Sequence, residues 1–175
     1  MAHTLEQEFC LSVKRKHQDM FTNKIVLDIG SGDINGNNNY LFTDCFLIGV
    51  DVAPGPNVDL VANAEELTFR NNFFDTIIST ECFEHNPKYG ETIRNSIRML
   101  KPNGLFLFTC ATTGRPEHGT SRSKPFQSLS TTIGIDYYKN LTEEDVRKEI
   151  NIERVFKSFE FSTKAQDLYF WGIKK

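Results

Sequence analysis

The run Ile25-Val26-Leu27-Asp28-Ile29-Gly30-Ser31-Gly32-Asp33 decides how this chain folds. Its branched residues show no polar alternation, which suits a strand buried on both faces, as in a parallel sheet between helices. Glycines directly after such a strand let the backbone turn sharply and approach a ligand with no Cβ in the way. A second run, Phe46-Leu47-Ile48-Gly49-Val50, ends at Asp51, 23 residues after Asp28. An acidic residue at the tip of the second strand can accept hydrogen bonds from both hydroxyls of a ribose, and about 20 residues is the separation such a unit requires. Strand, glycine turn, strand and terminal Asp, in that order, point to an adenosine-containing cofactor.

Outward from this core the pattern continues. Two further apolar runs, Phe74 to Ser79 and Leu105 to Phe108, predict buried strands, and Val58 to Ala62 a weaker one. Between them, Ile93, Ile97 and Leu100 form one stripe of a crossover helix over Tyr89 to Leu100, ended by Pro102 and Gly104. Leu5, Phe9 and Val13 predict an amphipathic N-terminal helix within residues 1–22. Thr142 followed by Asp145 marks a helix start for residues 143–150. The end of the chain alternates instead: Val155, Lys157, Phe159 and Phe161 share one face, with Leu168 to Ile173 as partner strand. An antiparallel hairpin closing a parallel sheet is the simplest arrangement. Residues 111–140 break the rhythm with nine Ser/Thr, two prolines and three glycines. A loop that long is uncommon without a task, and it is read as a substrate loop.

The chain has 175 residues, 39% hydrophobic and 25% charged, with 15 Phe, which fits one domain over residues 1–175. A net charge of -3 draws the molecule neither to polyphosphate nor to an anionic membrane, so no nucleic-acid or membrane partner is expected. No run approaches the roughly 20 apolar residues of a membrane span, and the first twenty residues lack the order of a secretory signal. A cytoplasmic location is the default expectation. Cys10, Cys45, Cys82 and Cys110 form no C-x-x-C pair, and no cluster has metal-ligand spacing, so neither a metal nor a disulfide framework is expected. Self-association is left open.

Fine spacing separates the cofactors. A dinucleotide wants a third glycine, where this chain has Asn35, so that pyrophosphate can sit on a helix N-terminus. S-adenosylmethionine has no phosphate and needs an acidic residue with open backbone, which Asp28 and the turn provide. At this point a family resemblance enters. Asp28-x-Gly30-x-Gly32, Ile48-Gly49-Val50-Asp51, Asn63-Ala64-Glu65-Glu66-Leu67-Thr68-Phe69, Phe73 to Ser79, Glu84-His85 and Leu100-Lys101-Pro102-Asn103-Gly104 resemble the successive motifs of class I S-adenosylmethionine-dependent methyltransferases. The likeness runs from about residue 24 to 110 and is greatest to the small-molecule type. The loop segments Gly114-Arg115-Pro116-Glu117-His118 and Asp136-Tyr137-Tyr138 are similar to methyltransferases of surface-polysaccharide gene clusters.

The resemblance implies an α/β, doubly wound, Rossmann-like sheet of seven strands, mostly parallel with a C-terminal antiparallel hairpin. It places Asp28, Gly30, Ser31 and Gly32 along the methionine portion of the cofactor, Asp51 on the ribose, Val52 against adenine, and Asn63 and Ala64 at the adenine amino group. Glu65, Thr80 and Glu81 complete the cofactor set. Ile34 stands where the family has its third glycine, with Gly36 and the Asn run expected to restore flexibility.

Methyl transfer from a sulfonium needs donor and acceptor in line, and a base only where the acceptor must lose a proton. His85 is the first candidate base and His118 the second, because imidazole titrates near working pH; a helix-orienting His85 and a solvated His118 are the competing readings. Arg115, His118, Tyr137 and Tyr138 are assigned to the substrate. Arg122, Lys124 and Lys139 make the loop locally basic, which admits an anionic acceptor. The expected activity is methyl transfer to an oxygen or nitrogen of a small or sugar-like metabolite. Two alternatives stand beside it: a non-catalytic methyltransferase-like binding subunit, and an NAD(P)-dependent oxidoreductase.

Overall fold

The computed structural model describes residues 4–175. Its strands are β1 (Ile25–Ile29), β2 (Phe46–Asp51), β3 (Leu60–Val61), β4 (Phe74–Thr80), β5 (Leu100–Ala111), β6 (Phe156–Lys164) and β7 (Asp167–Lys174). They form one seven-stranded sheet in the order β3-β2-β1-β4-β5-β7-β6. The first five pair in parallel, and β7 runs antiparallel to both β5 and β6. This is the α/β, Rossmann-like, mostly parallel sheet with an antiparallel C-terminal hairpin that the sequence implied. Chain order reverses at β1, which has β2 on one side and β4 on the other. In open sheets ligands bind at the carboxyl ends beside such a switch point.

Continuous apolar runs were expected to feed both faces, and alternate residues do so. Val26, Ile78, Leu105, Leu107 and Ile173 face a core completed by Cys10 and Val13 of α1 (Thr4–Lys16). Their neighbours Leu27, Ile77, Phe106 and Phe108 face the other core, with Ile93 and Met99 of α2 (Tyr89–Met99) and Val146 of α3 (Glu143–Glu149). Phenylalanines dominate this second core, where Phe108 stacks on Phe170 with centroids 5.1 Å apart. The start of α3 carries a complete capping box: Thr142 accepts from the Asp145 backbone, and the Asp145 carboxylate accepts from the Thr142 N–H at 3.0 Å.

Several boundaries differ from expectation. Residues 1–3 of the N-terminal helix lie outside the described residues; the helix ends at Lys16, and Gln18–Phe21 is a 3-10 turn. Its inward stripe is Glu6, Cys10 and Val13, with Phe9 stacked on Tyr169 at 4.7 Å. Glu6 is thus a charged residue buried on the inner face of α1, where the sequence pattern predicts Leu5, Phe9 and Val13. The weaker strand shrinks to Leu60–Val61, while β5 extends on both sides of Leu105–Phe108 and takes Ala111 out of the long loop. That loop is partly ordered by 3-10 turns at Pro125–Gln127 and Leu129–Ile133. Val155 ends α4 (Ile152–Val155) instead of opening β6, because Asn151 caps that turn by accepting from the Arg154 backbone. No α-helix follows the glycine turn; β1 reaches β2 through a 3-10 turn at Asn39–Leu41.

Candidate active site

A cavity of about 680 Å³ opens at the carboxyl ends of β1, β2 and β4. Asp28, Gly30, Ser31, Gly32, Asp51, Val52, Asn63, Ala64, Glu65, Thr80, Glu81, His85, Arg115 and His118 all line it. The sequence assignments thus converge on one place, with two exceptions. Tyr137 and Tyr138 are not on its wall: the Tyr138 ring backs His118 at 5.0 Å, and its hydroxyl donates to the Pro116 carbonyl at 3.2 Å.

At the glycine turn, Gly30 has φ +75, a left-handed conformation, and a Cβ there would fall 2.5 Å from the Cys82 Cβ. Its N–H donates to the Val50 carbonyl at 2.8 Å, locking the turn against the end of β2. At Gly32 a Cβ would meet Leu129, which reaches over the turn from the long loop. The Gly32 N–H donates to Asp51 Oδ2 at 3.0 Å, and the Val52 N–H to Asp51 Oδ1 at 2.7 Å. Each oxygen thereby keeps acceptor capacity, since a carboxylate offers about four lone-pair sites. Burial raises the Asp51 pKa, with the backbone donors of Gly32, Val52 and Ala53 opposing.

Asp28 is held from a direction the sequence reading missed. Asn38 donates to both its carboxylate oxygens, at 3.1 and 3.2 Å, and approaches Thr80 Oγ1 at 3.2 Å. Burial pushes the Asp28 carboxyl up to about 7, the Asn38 hydrogen bond working against it. The Asn run is therefore structural. Asp33 fastens it further, accepting from the Gly36 N–H at 2.9 Å and the Asn37 amide at 2.7 Å.

Glu81, at the end of β4, has φ +49, an uncommon conformation for a non-glycine residue and one that clusters at functional sites. It is held there by Thr109: the Glu81 N–H donates to the Thr109 carbonyl at 3.0 Å, and the Thr109 hydroxyl donates to Glu81 Oε1 at 3.0 Å. Burial first, then the charges of Glu84, Asp167 and Glu6, raise its pKa. Arg115 lies among these groups, 2.8 Å from Asp167 Oδ1 and 3.9 Å from Glu81 Oε2.

Beyond Glu81, His85 is buried and its Nδ1 has no hydrogen-bond partner. Burial, reinforced by His118, lowers its pKa to about 4, so the imidazole is neutral at neutral pH. The two rings meet edge to face at 5.1 Å. His118 Nε2 stands 3.9 Å from Oε1 of Glu84, whose carboxyl is fully buried and raised to about 7 by that burial. Linear spacing gave no hint of this trio, since 33 residues separate His85 from His118.

The electrostatics of the wall are acidic. Glu6, Asp28, Asp51, Glu65 and Glu81 line the cavity against Lys88 and Arg115. Lys88 is 3.2 Å from Glu65, and Arg115 is engaged as above. The cations of the basic loop are taken up by nearby acids: Arg122 pairs with Glu117 of the loop at 2.7 Å and Lys139 with Asp145 of α3 at 2.9 Å. The anionic acceptor that a basic loop admits therefore loses its support. So does a dinucleotide, which wants a helix N-terminus after the glycine turn and cations for its phosphates.

Residues 27–108 match a family described as Methyltransferase domain. The likeness spans β1 to β5, the part of the chain that holds the glycine turn and Asp51. Solved structures of the same fold include 1,6-didemethyltoxoflavin-N1-methyltransferase from Burkholderia thailandensis, bound to 1,6-didemethyltoxoflavin and S-adenosylhomocysteine. That match has 15% identity and a TM-score of 0.65, covering 95% of this chain and 76% of the other. Phosphoethanolamine N-methyltransferase 2 from Haemonchus contortus, in complex with phosphomonomethylethanolamine and S-adenosylhomocysteine, has 19% identity and a TM-score of 0.62 over 94% of this chain. The present chain spans 52% of that enzyme's length. The PH0226 protein from Pyrococcus horikoshii, 15% identical with a TM-score of 0.61, is covered over 93% of its length. No curated protein sequence matches the chain. Among the described residues, no helix is long and apolar enough to cross a membrane.

Proposed function

We propose that this chain is a methyltransferase that moves the methyl group of S-adenosylmethionine to an oxygen or nitrogen of a small, uncharged or amine-bearing acceptor of sugar-like size. The observation that carries the reading is the single acid-lined cavity joining the glycine turn to the two histidines. Its volume lies within the usual range for small-molecule sites, roughly 300–1,000 Å³, and the cations on its wall, Lys88 and Arg115, are already paired with carboxylates, which leaves neither free for a phosphate.

Asp51 would hold the ribose hydroxyls, Val52 the adenine face, and Asn63 and Ala64 the adenine edge. Gly30, Ser31 and Gly32 with Asp28 would border the aminocarboxypropyl group, and Glu65, Thr80 and Glu81 would close the cofactor side. When bound, the sulfonium supplies an electrophilic methyl, and the reaction neutralises its charge. His85 and His118 stand on the acceptor side with Arg115. A neutral His85 has a lone pair to offer, to an acceptor proton or to a cation. Tyr138 supports both rings from behind.

The test is release of S-adenosylhomocysteine from S-adenosylmethionine over a panel of amino sugars, neutral glycosides, phosphorylated metabolites and RNA. Turnover with neutral or amine acceptors supports the reading. Turnover confined to phosphorylated compounds or RNA contradicts it.

A further inference from the structure

We propose that Glu84, His85 and His118 form a divalent transition-metal site on the acceptor side of the cleft. The role given to the ion rests on the methyltransferase reading; the geometry does not.

One ligand atom from each of the three residues lies within 4.8 Å of the other two. Glu84 Oε1 accepts from the Ala111 N–H at 3.3 Å and faces His118 Nε2 at 3.9 Å, while Oε2 is buried with no partner. The Nδ1 of His85 is a second buried polar atom with no partner. His118 Nδ1 lies 3.1 Å from the Pro116 carbonyl, which only accepts, so Nδ1 carries a proton, and Nε2, the atom facing Glu84, is the one that would ligate in the neutral ring. A ligating imidazole whose other nitrogen donates to a backbone carbonyl is the usual arrangement at metal sites.

Leaving buried polar atoms unsatisfied is costly, and a cation held among the three residues would offer Glu84 and His85 a partner while drawing in His118. The three donors need to contract by about an ångström to reach metal–ligand distances of roughly 2.0–2.2 Å. His118, carried on the long loop, is placed to make that movement. Glu81 and Asp167 add acidic groups around Glu84, with Arg115 as the opposing cation. Two imidazole nitrogens and one carboxylate oxygen suit Zn²⁺ and its first-row neighbours, whereas Mg²⁺ and Ca²⁺ favour all-oxygen shells.

Three protein ligands leave a coordination position open. His85 and His118 line the cavity while Glu84 lies behind its wall, so an acceptor in the cavity would reach the ion from the histidine side. A hydroxyl held there would lose its proton to water more easily. Its oxygen then forms the O–C bond to the methyl group as the S–C bond breaks, with that bond's electron pair remaining on sulfur.

The experiment uses the untagged full chain stripped with a chelator and titrated with Zn²⁺ by calorimetry and with Co²⁺ by visible absorption. The expected result is one ion per chain, d–d bands of a low-symmetry nitrogen–oxygen site, and no competition from Mg²⁺. Glu84→Gln, which keeps the acceptor for Ala111, and His118→Ala, on the loop, should each weaken Zn²⁺ binding at least tenfold. No retained ion, or affinity unchanged in His118→Ala, overturns the site. S-adenosylhomocysteine is titrated into the same metal-free sample. Its binding without any metal binding sinks the metal site alone, and metal binding without it sinks the methyltransferase reading alone.

Discussion

Asp28, next to last in β1, and Asp51, last in the adjacent β2, do different work. Asp28 is buried and raised to about 7, well above an unfolded aspartate. A carboxyl whose folded pKa is raised stabilises the fold fully below its unfolded pKa, and that contribution is lost as pH rises through the folded value. Asp28→Asn does not titrate, so its melting temperature should gain on the native protein between pH 5 and pH 8; a difference flat with pH would contradict the assignment. Asp51, with backbone donors on both oxygens, is the residue proposed to hold the ribose. Asp51→Ala should cost about 1–3 kcal/mol of cofactor affinity through lost charge-assisted hydrogen bonds, read by calorimetry with S-adenosylhomocysteine. Affinity equal to the native protein would remove Asp51 from the site. His85→Ala should lower turnover while leaving cofactor affinity unchanged; unaltered turnover would return His85 to packing.

Elements that depend on local signals were legible in the sequence, and those that depend on distant partners were not. The capping box at Thr142 and Asp145 was readable because both residues lie within one turn, and Thr142→Ala should cost about 1 kcal/mol. In a domain of this size that is a drop of roughly 2–4 °C in a thermal melt. The β6–β7 hairpin was readable from alternation, but its turn was not. Ala165 and Gln166 have φ of +52 and +68, both in the left-handed region. The pairing of Lys164 with Asp167 leaves a two-residue loop, which demands that conformation whatever the residues prefer. Asn38 was hidden in a low-complexity run because its partner, Asp28, sits on another element. Glu6 of α1 and Leu129 of the long loop carry no local signal of their place, and only the fold brings both to the cavity. The candidate metal ligands share that history: Glu84 and His85 are adjacent in sequence, and His118 arrives only with the long loop.

At the scale of the molecule, the sheet supplies the frame and the switch point at β1 supplies the cleft. Two phenylalanine- and aliphatic-rich cores clamp the sheet, so the turns after β1, β2 and β4 project from a rigid base. The chain makes this fold with short 3-10 turns where longer helices would fit, leaving the glycine turn without a helix N-terminus. Acidic lining and the missing helix together predict discrimination between a sulfonium and a dinucleotide. The most direct test is thermal unfolding of the cofactor-stripped protein with S-adenosylmethionine, S-adenosylhomocysteine and NAD in parallel. Ligand at 100 times its dissociation constant adds about 2.7 kcal/mol, which raises the midpoint by roughly 5–11 °C at this size. The account predicts that shift with the two sulfur ligands and none with NAD. A shift with NAD alone, or with none of the three, would contradict it.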